Sequence, residues 1–477
     1  MSATTLPRHD DGRPTRVVLL VYNDAHADSR VLKTADSLRR AGAQVAILAV
    51  ARTHLGYPPT AERLPNGVEL VRLREPGFIT WVPRLKRALR RIRTLLAPRP
   101  TPGADGPPPG ESPLPDESPR PGARTPGAHP RPALRNAVLA RLLDPVDRLA
   151  RTVILTHYWA LATREGRRRR PDVVHANDGN TLVPGRLITR GTGARLVYDS
   201  HELWRHRNVR DRPVGKHVEA AIERYVITRA DGVITVSPSI ARWLQRTYRL
   251  PEMPTLVRNI PVATDPPAPS DGRLRQLAGL GPADRVIAYG GRITTSRGLE
   301  ETIASLALLP DDIHLVVLGY GDAGYLAALQ RQAEAAGVRH RLHLVGRVAP
   351  HEVAGALADA DLSVVFVRPT CLSYEYSLPN KLFEAIHAGI PIAAADLPDT
   401  REIVERYGVG EIFGLMDDDA EPSVGAHRAE AAAMAQTMSR VLADPGRYRD
   451  AARAAATVLT WQREEARLLA LYRRLLG

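Results

Sequence analysis

Twice along this chain, short uninterrupted apolar runs alternate with amphipathic segments, and that alternation leaves few folds open. Arg16–Tyr22 reads RVVLLVY, the pattern of a strand covered on both faces. A helix follows, capped by Ser29 and running to Arg40, with Val31, Leu32, Ala35 and Leu38 on one face and Gly42 behind it. Gln44–Val50 is the next apolar run and Glu69–Leu73 a third strand. The order βαβ predicts a parallel, doubly wound sheet. Pro171 restarts the alternation, with strands at Asp172–Ala176, Arg195–Asp199 and Gly232–Val236. Helices are expected over Asn180–Thr189, Val214–Arg229 and Pro238–Tyr248. Asn259-Ile260-Pro261 and a loop rich in Pro, Asp and Ser, ending near Gly272, form a linker.

A second alternation follows. Its strands are Arg285–Tyr289, His314–Leu318, Leu342–Val345, Leu362–Val367 and Ile392–Ala395. Its helices are Leu299–Leu309, Ala323–Ala336, Pro350–Ala358, Lys381–His387 and Thr400–Glu405. Two helices close the chain, Ala429–Leu442 and Gly446–Leu476. The expected fold is α/β with two doubly wound parallel-sheet domains, residues 1–262 and 263–445, followed by a closing segment 446–477.

Residues 83–170 interrupt the first domain. Pro83–Ala97 is a basic amphipathic helix by pattern, with Leu85, Leu89, Ile92 and Leu96 on one stripe and Arg84, Lys86, Arg87, Arg90, Arg91 and Arg93 around it. Pro98–Pro132 holds 13 of the 40 prolines and has no core-forming pattern, so it is read as a disordered linker. Helix resumes near Ala133 and continues to about Arg164, before Arg167–Arg170. Between Pro83 and Arg170 stand 19 Arg/Lys against 7 Asp/Glu, nearly all of the formal net charge of +14. The basicity therefore belongs to the insertion and not to the sheets. It brings only Tyr158 and Trp159 and no nucleic-acid-binding module, which argues against nucleic acid as a partner. Cys371 is the single cysteine, so no internal disulfide is possible, and a reducing cytoplasm is expected. No signal peptide and no membrane-spanning run is visible.

Two stretches of the second half carry chemistry. Around Ser377, Leu378, Pro379 and Asn380 a polar loop opens into a helix containing Lys381 and Glu384, stopped by Gly389 and Pro391. The first amides of a helix receive phosphate, and a carboxylate one turn in accepts hydrogen bonds from hydroxyls. Diphosphate first and ribose next describes a nucleotide sugar. The second stretch, Tyr289 to Gly298, is expected as the turn after the first strand. Gly290 and Gly291 admit a ligand to the backbone, and Arg292 and Arg297 bracket the turn as a bidentate grip for a diphosphate.

GGRITTSRG followed by LPNKLFEAIHAGIP resembles the donor site of the retaining glycosyltransferases of family 4, which have the GT-B fold. DSRVLKTADSLRRAG, DVVHANDGNTL, LVYDSHEL and ADGVITVS extend the resemblance over most of the chain outside the insertion. It implies two domains facing across a cleft, with the Trp461…Tyr472 helix crossing back onto the first. It also implies transfer of a sugar from a nucleoside-diphosphate sugar to a glycan or lipid-linked acceptor, with retention, without metal and without further cofactor, in polysaccharide or cell-envelope biosynthesis.

By the same resemblance, Arg292 matches the diphosphate arginine, Arg297 stands where lysine is usual, and Glu384 holds the ribose. The base is read at the backbone of Arg347 and Val348, and His201 reaches the donor sugar from the first domain. Gly291, Ser377, Leu378, Asn380 and Lys381 complete the expected donor site. There are departures. Tyr376 occupies the place of the family's first glutamate, with Glu375 beside it, so Asn380 and Lys381 are expected to share the sugar hydroxyls. The glycine-rich first loop is replaced by Asn23–Ser29, whose Asp24 and Asp28 are read as solvated, and acceptor identity is not inherited. A non-catalytic GT-B assembly partner and a GT-B sugar-nucleotide epimerase are the alternatives. From the basic segment 83–97 a peripheral site on the inner, anionic membrane face is expected.

Overall fold

The computed structural model describes residues 5–26, 28–77, 134–208, 213–263, 272–349, 352–416 and 424–477. The expected helix 83–97 and the linker 98–132 lie outside them. The chain forms two compact units, one of Met1–Leu73 with Trp159–Gly477 and one of Arg74–Tyr158. Both sheets belong to the first unit.

The first sheet is built from β1 (Arg16–Leu20), α1 (Ser29–Arg40), β2 (Gln44–Val50), β3 (Thr60–Arg63), β4 (Glu69–Leu73) and α2 (Leu134–Arg168). It continues with β5 (Val173–Asn177), α3 (Leu182–Thr192), β6 (Arg195–Ser200), α4 (Pro213–Ile227), β7 (Gly232–Thr235), α5 (Pro238–Tyr248) and β8 (Thr255–Leu256). Strand order is β3-β4-β2-β1-β5-β6-β7-β8, parallel except for β3 at the edge. The chain order reverses on either side of β1, so the loops after β1 and β5 open at the switch point where ligands sit in such sheets.

The second sheet uses α6 (Arg273–Ala278), β9 (Arg285–Ile293), α7 (Leu299–Leu306), β10 (Ile313–Gly321), α8 (Ala323–Ala335), β11 (Leu342–Gly346) and α9 (Val353–Leu357). Then come β12 (Leu362–Val365), α10 (Leu372–Glu375), α11 (Asn380–Ala388), β13 (Ile392–Ala395), α12 (Pro398–Tyr407), β14 (Gly410–Phe413) and α13 (Val424–Ala443). Its order, β11-β10-β9-β12-β13-β14, is wholly parallel, with the switch point between β9 and β12. The four-residue β12 runs LSVV and β13 runs IAAA, every residue buried, as strands covered on both faces must be.

Three local expectations are corrected. Asp28, not Ser29, caps α1: its Oδ1 accepts from the Val31 amide at 3.1 Å and its Oδ2 accepts from Asn23 Nδ2 at 2.8 Å. Asp24 Oδ1 likewise accepts from the His26 amide at 2.9 Å, so these two acids wire the first loop. β9 does not stop at Tyr289 but continues through Ile293, because β10 extends beside it and offers partners as far as Gly321. The closing segment is two helices, α14 (Pro445–Val458) and α15 (Trp461–Leu476), with Thr460 between them capping α15 through its hydroxyl. α15 lies on the first sheet. Trp461, Leu468, Leu471 and Tyr472 join the core of β1, β2 and α1, and Trp461 Nε1 donates to Ser37 Oγ at 3.0 Å.

Candidate active site

The donor-side arginines are placed by two strands that approach unusually closely. Gly291 pairs with Gly319 across β9 and β10, and a Cβ at Gly319 would lie 1.8 Å from Gly291 O. Gly291 has φ +120°, so both positions need glycine for the strands to run on to Arg292. Tyr289 Oη donates to Arg292 O at 2.8 Å and ties down the end of β9 beside Arg292. Gly298, at φ +75°, rests on the Phe366 ring, where a Cβ would meet Cδ1 at 2.1 Å. Arg292 is exposed, and Arg297 places its guanidinium 4.9 Å from the Tyr374 ring centre.

Neither guanidinium has an ion pair or hydrogen bond among the described residues. Arg368 at the same end of the sheet shows the contrast: it bridges Glu301 and Glu430, each at 2.6 Å. Arg292 and Arg297 have no such carboxylate partner among the described residues.

α11 opens after Pro379 with exposed Asn380. Lys381 turns inward instead of toward the loop. Its Nζ is 4.0 Å from the Tyr289 ring centre and 3.4 Å from Phe366 O. Burial, then the nearby Arg297 charge, push its ammonium well below the usual lysine range, with Glu384 opposing. Glu384 faces Gly290, since a Cβ there would stand 3.9 Å from Oε2. Burial raises its carboxyl, against the charges of Lys381 and Lys33. Ser377 Oγ is committed to Tyr374 O at 2.8 Å, and Leu378 packs into the core with Leu382 and Phe383. Tyr376 offers its backbone carbonyl to Ser237 Oγ at 2.7 Å. The adjacent Glu375 is half-buried, and its carboxylate has no partner among the described residues.

Beyond Gly346, Arg347 is exposed and Val348 half-buried. The Arg347 guanidinium lies 5.6 Å from the ring centre of Tyr320, which is 54% exposed. Tyr320 was missed in the sequence; an aromatic at the end of an otherwise apolar strand, in LGYGD, was the available signal.

On the first domain, His201 follows β6 and is met by two carboxylates. Nδ1 lies 3.3 Å from Asp178 Oδ2 and Nε2 3.4 Å from Asp199 Oδ2, both ion pairs too long for strong hydrogen bonds. Its amide donates to Asp178 Oδ1 at 3.1 Å. Burial opposes the charge, but Asp178 and Asp199 carry the imidazole up to about 10. Both ring nitrogens thus face carboxylates of their own domain, and the side chain is 19% exposed. Asp178 holds φ +60° without being glycine, a strained conformation of the kind that gathers at functional sites. Glu202, beside His201, is pushed up to about 7 by partial burial and then Asp178, with Arg207, His201 and Arg297 opposing. The sequence singled out neither Asp178 nor Glu202.

The carboxyl ends of the two sheets meet through specific bonds. Leu203 N donates to Ser373 Oγ at 3.2 Å and Asn208 Nδ2 to Thr370 Oγ1 at 3.1 Å. Ser239 holds Asp399 through its amide at 3.0 Å and its hydroxyl at 2.9 Å. Arg258, just before the linker, is buried on Glu464 of α15, with Nε at 3.0 Å. His201, Asp178 and Glu202 therefore stand on one wall of a cleft and Arg292, Arg297 and Glu384 on the other.

Two doubly wound domains with such a cleft define the GT-B fold. Residues 94–265 match the family model described as Glycosyltransferase Family 4, and residues 284–444 match Glycosyl transferases group 1; together they span more than half of the chain. A D-inositol 3-phosphate glycosyltransferase of Xylanimonas cellulosilytica is 27% identical over 63% of this chain and 71% of its own. An alpha-maltose-1-phosphate synthase of Mycolicibacterium smegmatis is 27% identical over 68% of this chain and 79% of its own. Sucrose-phosphate synthase from Thermosynechococcus elongatus shares the fold at TM-score 0.64, with 17% identity over 97% of this chain and 99% of that one. Anabaena HepE in complex with UDP-glucose superposes at TM-score 0.59, with 13% identity over 95% and 98%. The chain belongs to glycosyltransferase family 4.

Proposed function

We propose that this glycosyltransferase moves a sugar from a nucleoside-diphosphate sugar to a glycan or lipid-linked acceptor with retention of anomeric configuration. The observation that carries the donor reading is the pair of arginines, Arg292 and Arg297, left without carboxylates at the switch point of the second sheet. Departure of the nucleoside diphosphate is the demanding part of glycosyl transfer, and preorganised positive charge on the departing phosphates is the largest contribution a protein supplies. The two guanidiniums and the α11 amides at Asn380 provide it without metal. Glu384, facing the backbone glycines, takes the ribose hydroxyls, and Tyr320 with Arg347 and Val348 offers the base a flat face and backbone groups. Glu375, unpartnered beside Tyr376, takes the sugar hydroxyls that the family's first glutamate would hold. That HepE was crystallised with UDP-glucose supports a uridine donor as the first to try.

The arginine-rich segment 83–97 supports an anionic membrane surface as the place where the acceptor is met, and among the described residues no helix is long and apolar enough to cross a membrane. Vesicle flotation tests this: anionic liposomes bind the protein, less well at high salt, and replacing Arg87, Arg90, Arg91 and Arg93 with Gln abolishes binding. The donor test is a screen of nucleoside-diphosphate sugars, scoring released nucleoside diphosphate with and without chelator. Release that chelator does not slow is expected. A converted nucleotide sugar with no release indicates an epimerase, and no binding of any donor indicates a non-catalytic partner.

A further inference from the structure

Behind His201 lies a buried polar chain that ends on the last helix. Asp199 receives Arg30 bidentately, Nε at 2.9 Å on Oδ2 and Nη2 at 2.7 Å on Oδ1, while Arg30 Nη1 donates to Val257 O at 2.6 Å. His175 Nε2 lies 3.2 Å from the same Oδ2, and His175 Nδ1 is 2.8 Å from Tyr472 Oη. His175 and Tyr472 are fully buried and Asp199 nearly so. An ionised carboxylate only accepts, so His175 must donate from Nε2, which leaves Nδ1 to accept the Tyr472 proton. One hydroxyl on α15 thereby fixes the tautomer of a histidine in β5 and keeps it neutral.

We infer that Asp178 in front, and the chain Tyr472–His175–Asp199 behind, hold His201 as an imidazolium, which makes Asp178 and Tyr472 positioning residues for the transfer. The inference rests on His201 being part of the site proposed above. His201 is faced by Asp178 from the loop after β5 and by Asp199 and His175 from the first sheet, with Arg30 behind Asp199. Glu202 adjoins it in its own loop, and Arg297 stands opposite on the second domain. The two carboxylates closest to the ring outweigh the distant cations. So held, His201 brings positive charge to the cleft wall and takes no proton from an acceptor, both of its N–H groups being turned to Asp178 and Asp199. Without the Tyr472 hydroxyl, His175 Nδ1 is a buried acceptor that has lost its hydrogen-bond donor. With its tautomer no longer fixed, His175 loses its hold on Asp199 Oδ2, and that carboxylate is less firmly placed against His201.

The test does not depend on turnover. Histidine-15N-labelled enzyme, with His201→Gln to assign the signal, is titrated by NMR. His201 should stay protonated through pH 9 in the wild type. It should titrate about one unit or more lower in Asp178→Asn, and lower by a smaller step in Tyr472→Phe. With an active donor, the alkaline limb of the kcat profile should move down in the same order while KM for the donor holds at pH 7. A purely structural role would lower activity equally at every pH and leave the limb in place. His201 titrating near 6.5 in the wild type, or unmoved in Asp178→Asn, overturns the inference. If His201 stays protonated but the limb does not follow it, the clamp stands and the placement of His201 in the reaction falls.

Discussion

Replacing Arg292 and Arg297 one at a time separates a ligand's grip from the protein's own stability. Neither guanidinium has a carboxylate to lose, so each Ala variant should bind nucleoside diphosphate less well by the worth of its charge-assisted bonds, about 1.5–3 kcal/mol. At about 1.4 kcal/mol per decade, that is roughly 10- to 150-fold in Kd. Charge on the leaving group grows toward the transition state, so kcat should fall as well as affinity. The two variants differ in the free protein. Arg297 lies 4.9 Å from the Tyr374 ring centre, worth about 0.5–1 kcal/mol, whereas Arg292 is exposed with no such contact. Arg297→Ala should therefore lower the unfolding midpoint by about 1–2 °C and Arg292→Ala should leave it unchanged. Calorimetric titration with UDP, initial rates and thermal melts on both variants make the comparison. Normal UDP affinity and normal kcat in Arg292→Ala would refute the phosphate grip outright.

Three more outcomes are expected. Glu384→Gln should weaken sugar-free nucleoside diphosphate by about 1–3 kcal/mol, and unchanged calorimetric binding would leave Glu384 a helix residue only. Lys33 is held down to about 7 by burial and then Arg30, with Glu384 and Glu464 opposing. Because its folded value lies below the unfolded one, the unfolded chain carries the extra proton between pH 7 and about 10, and stability rises with pH in that window. Lys33→Met removes that rise, so its stability relative to wild type should decline from pH 7 to 10 in urea unfolding; a constant difference contradicts the assignment. Gly319→Ala drives a Cβ onto Gly291 O and should cost about 1–3 kcal/mol or more, with UDP affinity falling as the strand ends part. Wild-type stability and affinity in that variant would show the approach of β9 and β10 to be dispensable.

What the sequence displayed is what local pattern encodes. Helix Pro238–Tyr248 was readable to the residue, from Ser237 as cap and proline in the first turn. The strands β3, β8 and β14 were not, for they lie at sheet edges and lack the buried apolar run by which the equally short β12 and β13 were read. The donor loops were legible because glycine and arginine at fixed spacing have few structural explanations. The continuation of β9 to Ile293 depended on β10, some thirty residues on, extending to meet it. The surroundings of His201 were the least visible. Arg30, Asp178, Asp199 and Tyr472 are individually ordinary residues in four separated segments, and only the fold brings their charges together. Likewise the inward turn of Lys381 follows from the Tyr289 ring lying where its ammonium can rest.

The position of α15 has a consequence for how this protein is made. Trp461 bonds to Ser37, 424 residues earlier in the chain, and Tyr472 reaches beneath β5. A first domain of this kind cannot finish folding when its own strands leave the ribosome; its core waits for α15, which is synthesised after the second domain. Until then α1 and the first sheet present an open apolar groove, and Asp199, Arg30 and His175 lack their final partner. Loss of α15 should injure the first domain, while the second sheet, with none of its core in α15, assembles undisturbed. Synthesis that stops short thus yields a chain whose donor half is complete and whose His201 wall is not.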